Sequence, residues 1–153
     1  MGKYFTFEEF IKSDTAERLG IDNEPTDETV IDNIHILISV MDLIREEWSI
    51  YCEKNGMQHP QIIVNSGYRS EPLNKAVGGS STSSHMYGCA CDFKPKNGQM
   101  KEFQEFVKDL LLTQDINFDQ LIFEKPKNGI ATWLHLGLIN KEGLQRRNIF
   151  TIN

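Results

Sequence analysis

No apolar run in the 153-residue chain is long enough to cross a bilayer, and the opening Met1-Gly2-Lys3-Tyr4-Phe5 lacks the apolar core of a secretory signal. Nor does Met1-Gly2 open a myristoylation signal, because bulky aromatics follow at once and Phe7 stands after Thr6. The expectation is a soluble chain made in the cytoplasm, with no membrane partner. Basic residues are not in excess either. Sixteen Lys and Arg against 22 Asp and Glu leave a net charge of −6, which argues against a phosphate-backbone binder and its basic face. No nucleic-acid partner is expected. Cysteine is scarce: Cys52, Cys89 and Cys91 form an odd set with neither zinc-ribbon spacing nor a disulfide framework, and read as reduced, buried small hydrophobes. Repeats, low-complexity tracts and linkers are absent too. With 39% hydrophobic and 25% charged residues, the composition excludes disorder as the main state. The length suits one monomeric domain, 1–153, able to bury a core without disulfide staples.

What is present is a regular scaffold around one irregular stretch. Thr6-Phe7-Glu8-Glu9 reads as a capping box with Phe5 and Phe10 as its hydrophobic staple. It starts a short helix at Phe7 that ends near Ser13, and 14–25 reads as a loop closed by Asn23-Glu24-Pro25. A long helix begins at Thr26 or Asp27 and runs to about Lys54. In it Val30, Ile34, Leu37, Ile38, Met41, Ile44, Trp48 and Tyr51 keep the three-and-four spacing of one buried face, and Asn55-Gly56 stops it. His35 reads as an ordinary, partly exposed helix histidine. Residues 61–65 and 89–93 read as strands, 71–76 as a turn or two of helix with Pro72 in its first turn, and 99–113 as a helix with Met100, Phe103, Val107, Leu110 and Leu111 inside. Residues 118–124 and 131–139 read as a hairpin turned by Lys125-Pro126-Lys127-Asn128-Gly129, and 148–152 as a weak strand. The fold class is α+β.

The irregular stretch, 66–92, gathers Arg69, His85 and Asp92 among glycines and serines, with Tyr68, Leu73, Val77, Met86 and Tyr87 as apolar anchors. Long irregular segments that stay ordered tend to build sites. Strand alternation puts Trp133, His135 and Gly137 on one face and Leu134, Leu136 and Leu138 on the other, so His135 is presented away from a leucine core. Asp92 shares its face with Ala90, which leaves room in front of it. Two imidazoles and a carboxylate converging from a loop and two strands match a catalytic zinc site with an open fourth position. Spacing alone leaves equally open a plain assignment of His85 to a loop, Asp92 to a turn and His135 to the surface.

Taken together, Ser66-Gly67-Tyr68-Arg69-Ser70, Leu73-Asn74 with Val77-Gly78-Gly79, Ser84-His85 with Gly88, Ala90 and Asp92, and Trp133-Leu134-His135 resemble the zinc D-Ala-D-Ala carboxypeptidase and L-alanyl-D-glutamate endopeptidase family. Phe118-Asp119-Gln120-Leu121-Ile122 and the N-terminal Phe5-Thr6 and Ser13-Asp14-Thr15-Ala16 are similar to its phage- and prophage-associated branch. The resemblance implies a hedgehog/DD-peptidase-like fold, a small antiparallel sheet flanked by helices. It implies Zn2+ held by His85, Asp92 and His135, and hydrolysis of peptidoglycan stem peptides by a carboxypeptidase or endopeptidase, endolysin-like and reaching the wall by lysis or with a phage particle. Arg69 inherits substrate binding and oxyanion stabilisation, and Tyr68, Ser84 and Trp133 complete the expected substrate contacts. Many members carry a carboxylate three residues before the last histidine as general base; here that position is Thr132. Glu124, near His135 across the expected hairpin, is the substitute base, with Asp119 a weaker one. The alternative is a non-catalytic wall-binding or phage structural module that kept the fold and lost hydrolysis.

Overall fold

The computed structural model of the protein describes residues 2–124 and 132–152. The capping box forms: the Thr6 amide donates to Glu9 Oε1 at 3.0 Å and the Glu9 amide reaches Thr6 Oγ1 at 3.4 Å. It starts only a single 3-10 turn, Glu8–Phe10, rather than a helix reaching Ser13. Ser13 instead caps a separate helix, α1 (Asp14–Leu19), accepting from the Ala16 amide at 3.1 Å. The loop expected over 14–25 is therefore helical in its first half. Six residues are too few to display apolar periodicity, so α1 is visible in sequence only through its caps. Asn23 ties down the chain beyond α1, donating to the carbonyls of Ile11 and Tyr68 at 2.7 and 3.1 Å and accepting from the Ser70 amide at 2.7 Å.

Helix α2 (Glu28–Lys54) is capped by Asp27, which accepts from the Thr29 and Val30 amides. Ile34, Leu37, Met41, Ile44 and Trp48 are fully buried along it, as the spacing predicts. Helix α3 (Glu71–Ala76) is capped by Ser70 and carries Pro72 in its first turn. Helix α4 (Met100–Thr113) packs across α2 with Phe103 edge-on to Trp48, ring centres 4.9 Å apart. Edge-to-face aromatic pairs at this spacing add stability beyond their buried area.

Five strands, β1 (Ile62–Ser66), β2 (Ala90–Pro95), β3 (Gln120–Glu124), β4 (Trp133–Gly137) and β5 (Asn148–Ile152), form one sheet in the order β1-β2-β4-β3-β5. Every neighbouring pair is antiparallel except β3 and β5, which run parallel. The expected antiparallel sheet thus has a parallel edge strand. The segment after β4 returns past the start of β3, where the Arg147 amide donates to the Phe118 carbonyl at 3.0 Å and the Asn148 amide to the Asp119 carbonyl at 2.9 Å. Entering at that end, β5 has to run alongside β3 in the same direction. The turn expected at 125–129 and the start of the expected strand at Ala131 lie outside the described residues.

Alternation gives the sheet two unlike faces. Cys91, Phe93, Leu121, Leu134 and Leu136 are fully buried in the core with α2 and α4. Asp92, Ile122, Glu124, Trp133 and His135 occupy the opposite face. The three cysteines are free and buried.

Candidate metal centre

The strand register assembles the site. Ser66 pairs with Asp92, Asp92 with His135, and His135 with Ile122, so one row across four strands carries two of the three candidate ligands side by side. The third comes from the 3-10 turn Ser84–Tyr87, which delivers His85 just before β2. Gly88 ends that turn in the left-handed conformation (φ 74°), with the Val30 carbonyl and Ile34 side chain packed where a side chain would stand. Glycine is required there on both counts.

His85 is 3% exposed and doubly tied to the preceding segment. Its Nδ1 lies 2.7 Å from the Gly67 carbonyl, and its own carbonyl accepts from the Arg69 amide at 3.0 Å. A carbonyl only accepts, so Nδ1 carries the proton and the Nε2 lone pair points into the site. Such second-atom anchoring of a ligating imidazole fixes its tautomer and its orientation. Gly67 makes this possible: a Cβ there would overlap the Phe10 backbone carbonyl.

Both imidazoles converge on one oxygen. Asp92 Oδ1 lies 2.9 Å from His135 Nδ1 and 3.4 Å from His85 Nε2, and the three ligand atoms all lie within 4.8 Å of one another. Atoms around a tetrahedral zinc with bonds of about 2.1 Å stand about 3.4 Å apart, so this donor set fits a zinc ion with little adjustment. Burial pushes the Asp92 carboxyl up, but the neighbouring imidazoles, His135 first and then His85, hold it well below the ordinary carboxylate range. An ionised aspartate is the form that ligates.

Arg69 sits behind Asp92. Its Nη2 lies 3.5 Å from Asp92 Oδ2, Nε donates to Ser66 Oγ at 3.3 Å, and Nη1 donates to Asn74 Oδ1 at 3.2 Å. Burial lowers the guanidinium from its ordinary value, while the charges of Asp92 and Glu124 oppose that shift. With Oδ2 held by Arg69, Oδ1 is the oxygen turned to the histidines. Asn74, 3% exposed, bridges Arg69 to the Ser80 carbonyl through Nδ2 at 2.9 Å; its position, though not this role, is visible in the Leu73-Asn74 pair.

An open cavity of about 550 Å³ lies in front of the three ligands, with Arg69, Ser84, Glu124 and Trp133 among its walls. Tyr68 is not among them. It borders two adjoining depressions, one of about 610 Å³ running along β1, because its amide is pinned to the Phe10 carbonyl on the far side of Gly67. Glu124 pairs with Trp133, and Ile122 takes the place opposite His135. Glu124 is thus a diagonal neighbour of His135, at the ~7–8 Å typical of that relation. Thr132 offers nothing to the cavity: its hydroxyl is buried and has no hydrogen-bond partner among the described residues. Asp119, 2% exposed, is gripped by Arg146, with Nε and Nη2 at 2.8 and 2.9 Å from its two oxygens. Arg146 holds its carboxyl below the ordinary value. That engagement makes Asp119 a structural anion rather than a base. Arg146 itself lines the cavity. Nothing in the sequence marks it, since it lies in a polar tail without a pattern.

Fold and site together define an α+β domain whose described residues include one cluster of three groups able to hold a metal ion, open on one side. The sequence model of the peptidase M15 family matches residues 3–120, and the chain belongs to that family. His85 and Asp92 fall inside the match; Glu124, Trp133 and His135 fall beyond its end. The chain is also similar to the zinc D-Ala-D-Ala carboxypeptidase of Streptomyces albus G, 44% identical over 45 residues, which is 29% of this chain and 18% of that protein. The chain therefore matches under a fifth of the length of that curated relative.

Proposed function

We propose that this protein is a zinc-dependent peptidase that hydrolyses peptide bonds in peptidoglycan stem peptides. One observation carries the reading: two imidazole nitrogens and an ionised carboxylate converge at the floor of an open cavity in a chain of the peptidase M15 family. His85, Asp92 and His135 would hold the ion. When bound, zinc supplies Lewis-acid polarisation of a carbonyl and a water acidified towards neutrality.

The chain's own groups do the rest. Glu124 takes a proton from the attacking water at its carboxylate and returns it to the departing amine. Arg69, fixed by Ser66, Asn74 and Asp92, sets the orientation of Asp92 and contributes positive charge beside the carbonyl oxygen as it becomes anionic. Ser84 and Trp133 line the cavity where the peptide lies, and Tyr68 contributes only where the substrate extends into the neighbouring depression along β1. The similarity to the Streptomyces enzyme supports wall peptides as the substrate class. The endolysin-like role, with a monomeric chain reaching the wall through lysis or a phage particle, is part of this proposal and is supported by the resemblance of the 118–122 and N-terminal segments.

The Thr132 substitution favours a second reading, a wall-binding or structural module that has lost hydrolysis. Assay of the zinc-loaded protein on purified peptidoglycan, reading newly released amino groups, separates them. Cleavage that stops on chelation and returns with zinc supports the peptidase. Wall binding without amine release supports the module.

A further inference from the structure

Two arginines face the cavity, and only one of them has an open hydrogen-bonding edge. Arg69, its side chain 16% exposed, engages each of its guanidinium nitrogens with Ser66, Asn74 or Asp92. Arg146 stands at the rim with its side chain 44% exposed, while the buried Asp119 holds Nε and Nη2. Its Nη1 has no hydrogen-bond partner among the described residues. The Arg146 amide also donates to Asp119 Oδ1, at 3.1 Å, so the backbone and side chain are clamped by the same carboxylate. A guanidinium fixed in this way loses little rotamer freedom when it takes a ligand, and its remaining N–H groups suit a carboxylate oxygen.

We propose that Arg146 is a specificity residue that binds a carboxylate of the peptide substrate at the cavity rim. The proposal rests on the peptidase reading above. Lysine-type stem peptides, used in the test below, offer that chemistry twice, at the C-terminal D-alanine and at the α-carboxylate of the γ-linked D-glutamate. Arg146 is placed to favour the acid over the amide at one of these two positions.

The test uses the zinc-loaded protein and three synthetic stem peptides: one with both carboxylates free, one amidated at its C-terminus, and one carrying D-isoglutamine. The wild type should lose about tenfold in kcat/KM, through KM, on one amidated peptide, which identifies the carboxylate read. Arg146→Gln should lose about as much on the diacid and then treat acid and amide alike. Arg146→Lys retains a cation for Asp119 but removes the planar fork, and should also lose the preference, which decides the matter if the glutamine variant fails to fold. Calorimetric titration of the metal-free protein with the same peptides should reproduce the preference without turnover. An equal loss on acid and amide in the folded variants, or an unchanged preference, would overturn the proposal and leave Arg146 as a clamp for the C-terminal segment. If the wild type cleaves none of the peptides the peptidase reading fails, whereas the titration still decides the role of Arg146.

Discussion

Asp92 concentrates the chemistry of the site at the scale of single residues. One of its oxygens meets two imidazoles and the other meets a guanidinium, so each neighbour has one job. His85→Ala and His135→Ala should each abolish tight zinc binding, measured by elemental analysis after dialysis; full retention in either would remove that residue from the ligand set. Arg69→Met leaves the three ligands in place but frees Asp92 Oδ2. It should weaken zinc affinity about 10–100-fold, the usual scale for losing a partner behind a ligand, as read by competition with a chelator. Glu124→Gln should keep the metal and lower kcat at least ~10²-fold, the scale of a lost general base. Wild-type turnover in that variant would move the base elsewhere.

At the scale of elements, two short connections decide whether these residues meet. The first is Gly67, whose carbonyl accepts from His85 Nδ1 while the Phe10 carbonyl packs against its α-carbon. Gly67→Ala must push the 3-10 turn at Glu8–Phe10 away or displace the carbonyl. The expected outcome is a lower melting temperature together with weaker zinc binding; a stable variant with unchanged zinc affinity would mean the segment relaxes freely. The second is the Asp119–Arg146 clamp that seats β5 beside β3. The hydrogen bonds and charge of Arg146 hold the Asp119 carboxyl below its ordinary value. Its contribution is therefore complete above the ordinary carboxylate range and is lost as the pH falls through the lowered folded-state value. Asp119→Asn should remove that acid-dependent part of stability, seen as a shallower loss of melting temperature on acidification than in the wild type. The long helix α2 is legible in the sequence because its apolar spacing repeats over many turns, and β2 and β4 because their alternation separates a core face from a polar one. Helix α1 is not, since a six-residue helix shows only its caps, Ser13 and Gly20. The parallel course of β5 is hidden too, because strand direction is set by a tertiary clamp 27 residues away in sequence.

For the whole molecule, the core is built from one sheet face, helices α2 and α4 and the N-terminal Phe5, Phe10 and Ile11, and Trp48 is its largest fully buried side chain. Trp48→Ala should cost about 3–5 kcal/mol by denaturant titration, the range for deleting a large buried aromatic, whereas a loss below ~1 kcal/mol would mean that the core readily collapses around the gap. The same division of labour explains how much of the site the sequence reveals. His85, Asp92 and His135 carry their chemistry in residue type, and the family resemblance, rather than spacing alone, marks them as one set. The diagonal position of Glu124, the turning away of Tyr68 and the arrival of Arg146 depend on register and on long-range contacts, which a one-dimensional pattern does not contain. The most direct measurement is the zinc content of the purified protein, made alongside release of amines from peptidoglycan. The expectation is about one zinc per chain and zinc-dependent cleavage. A protein that takes up no zinc even when it is supplied, or that holds zinc and cleaves no wall peptide, would contradict it.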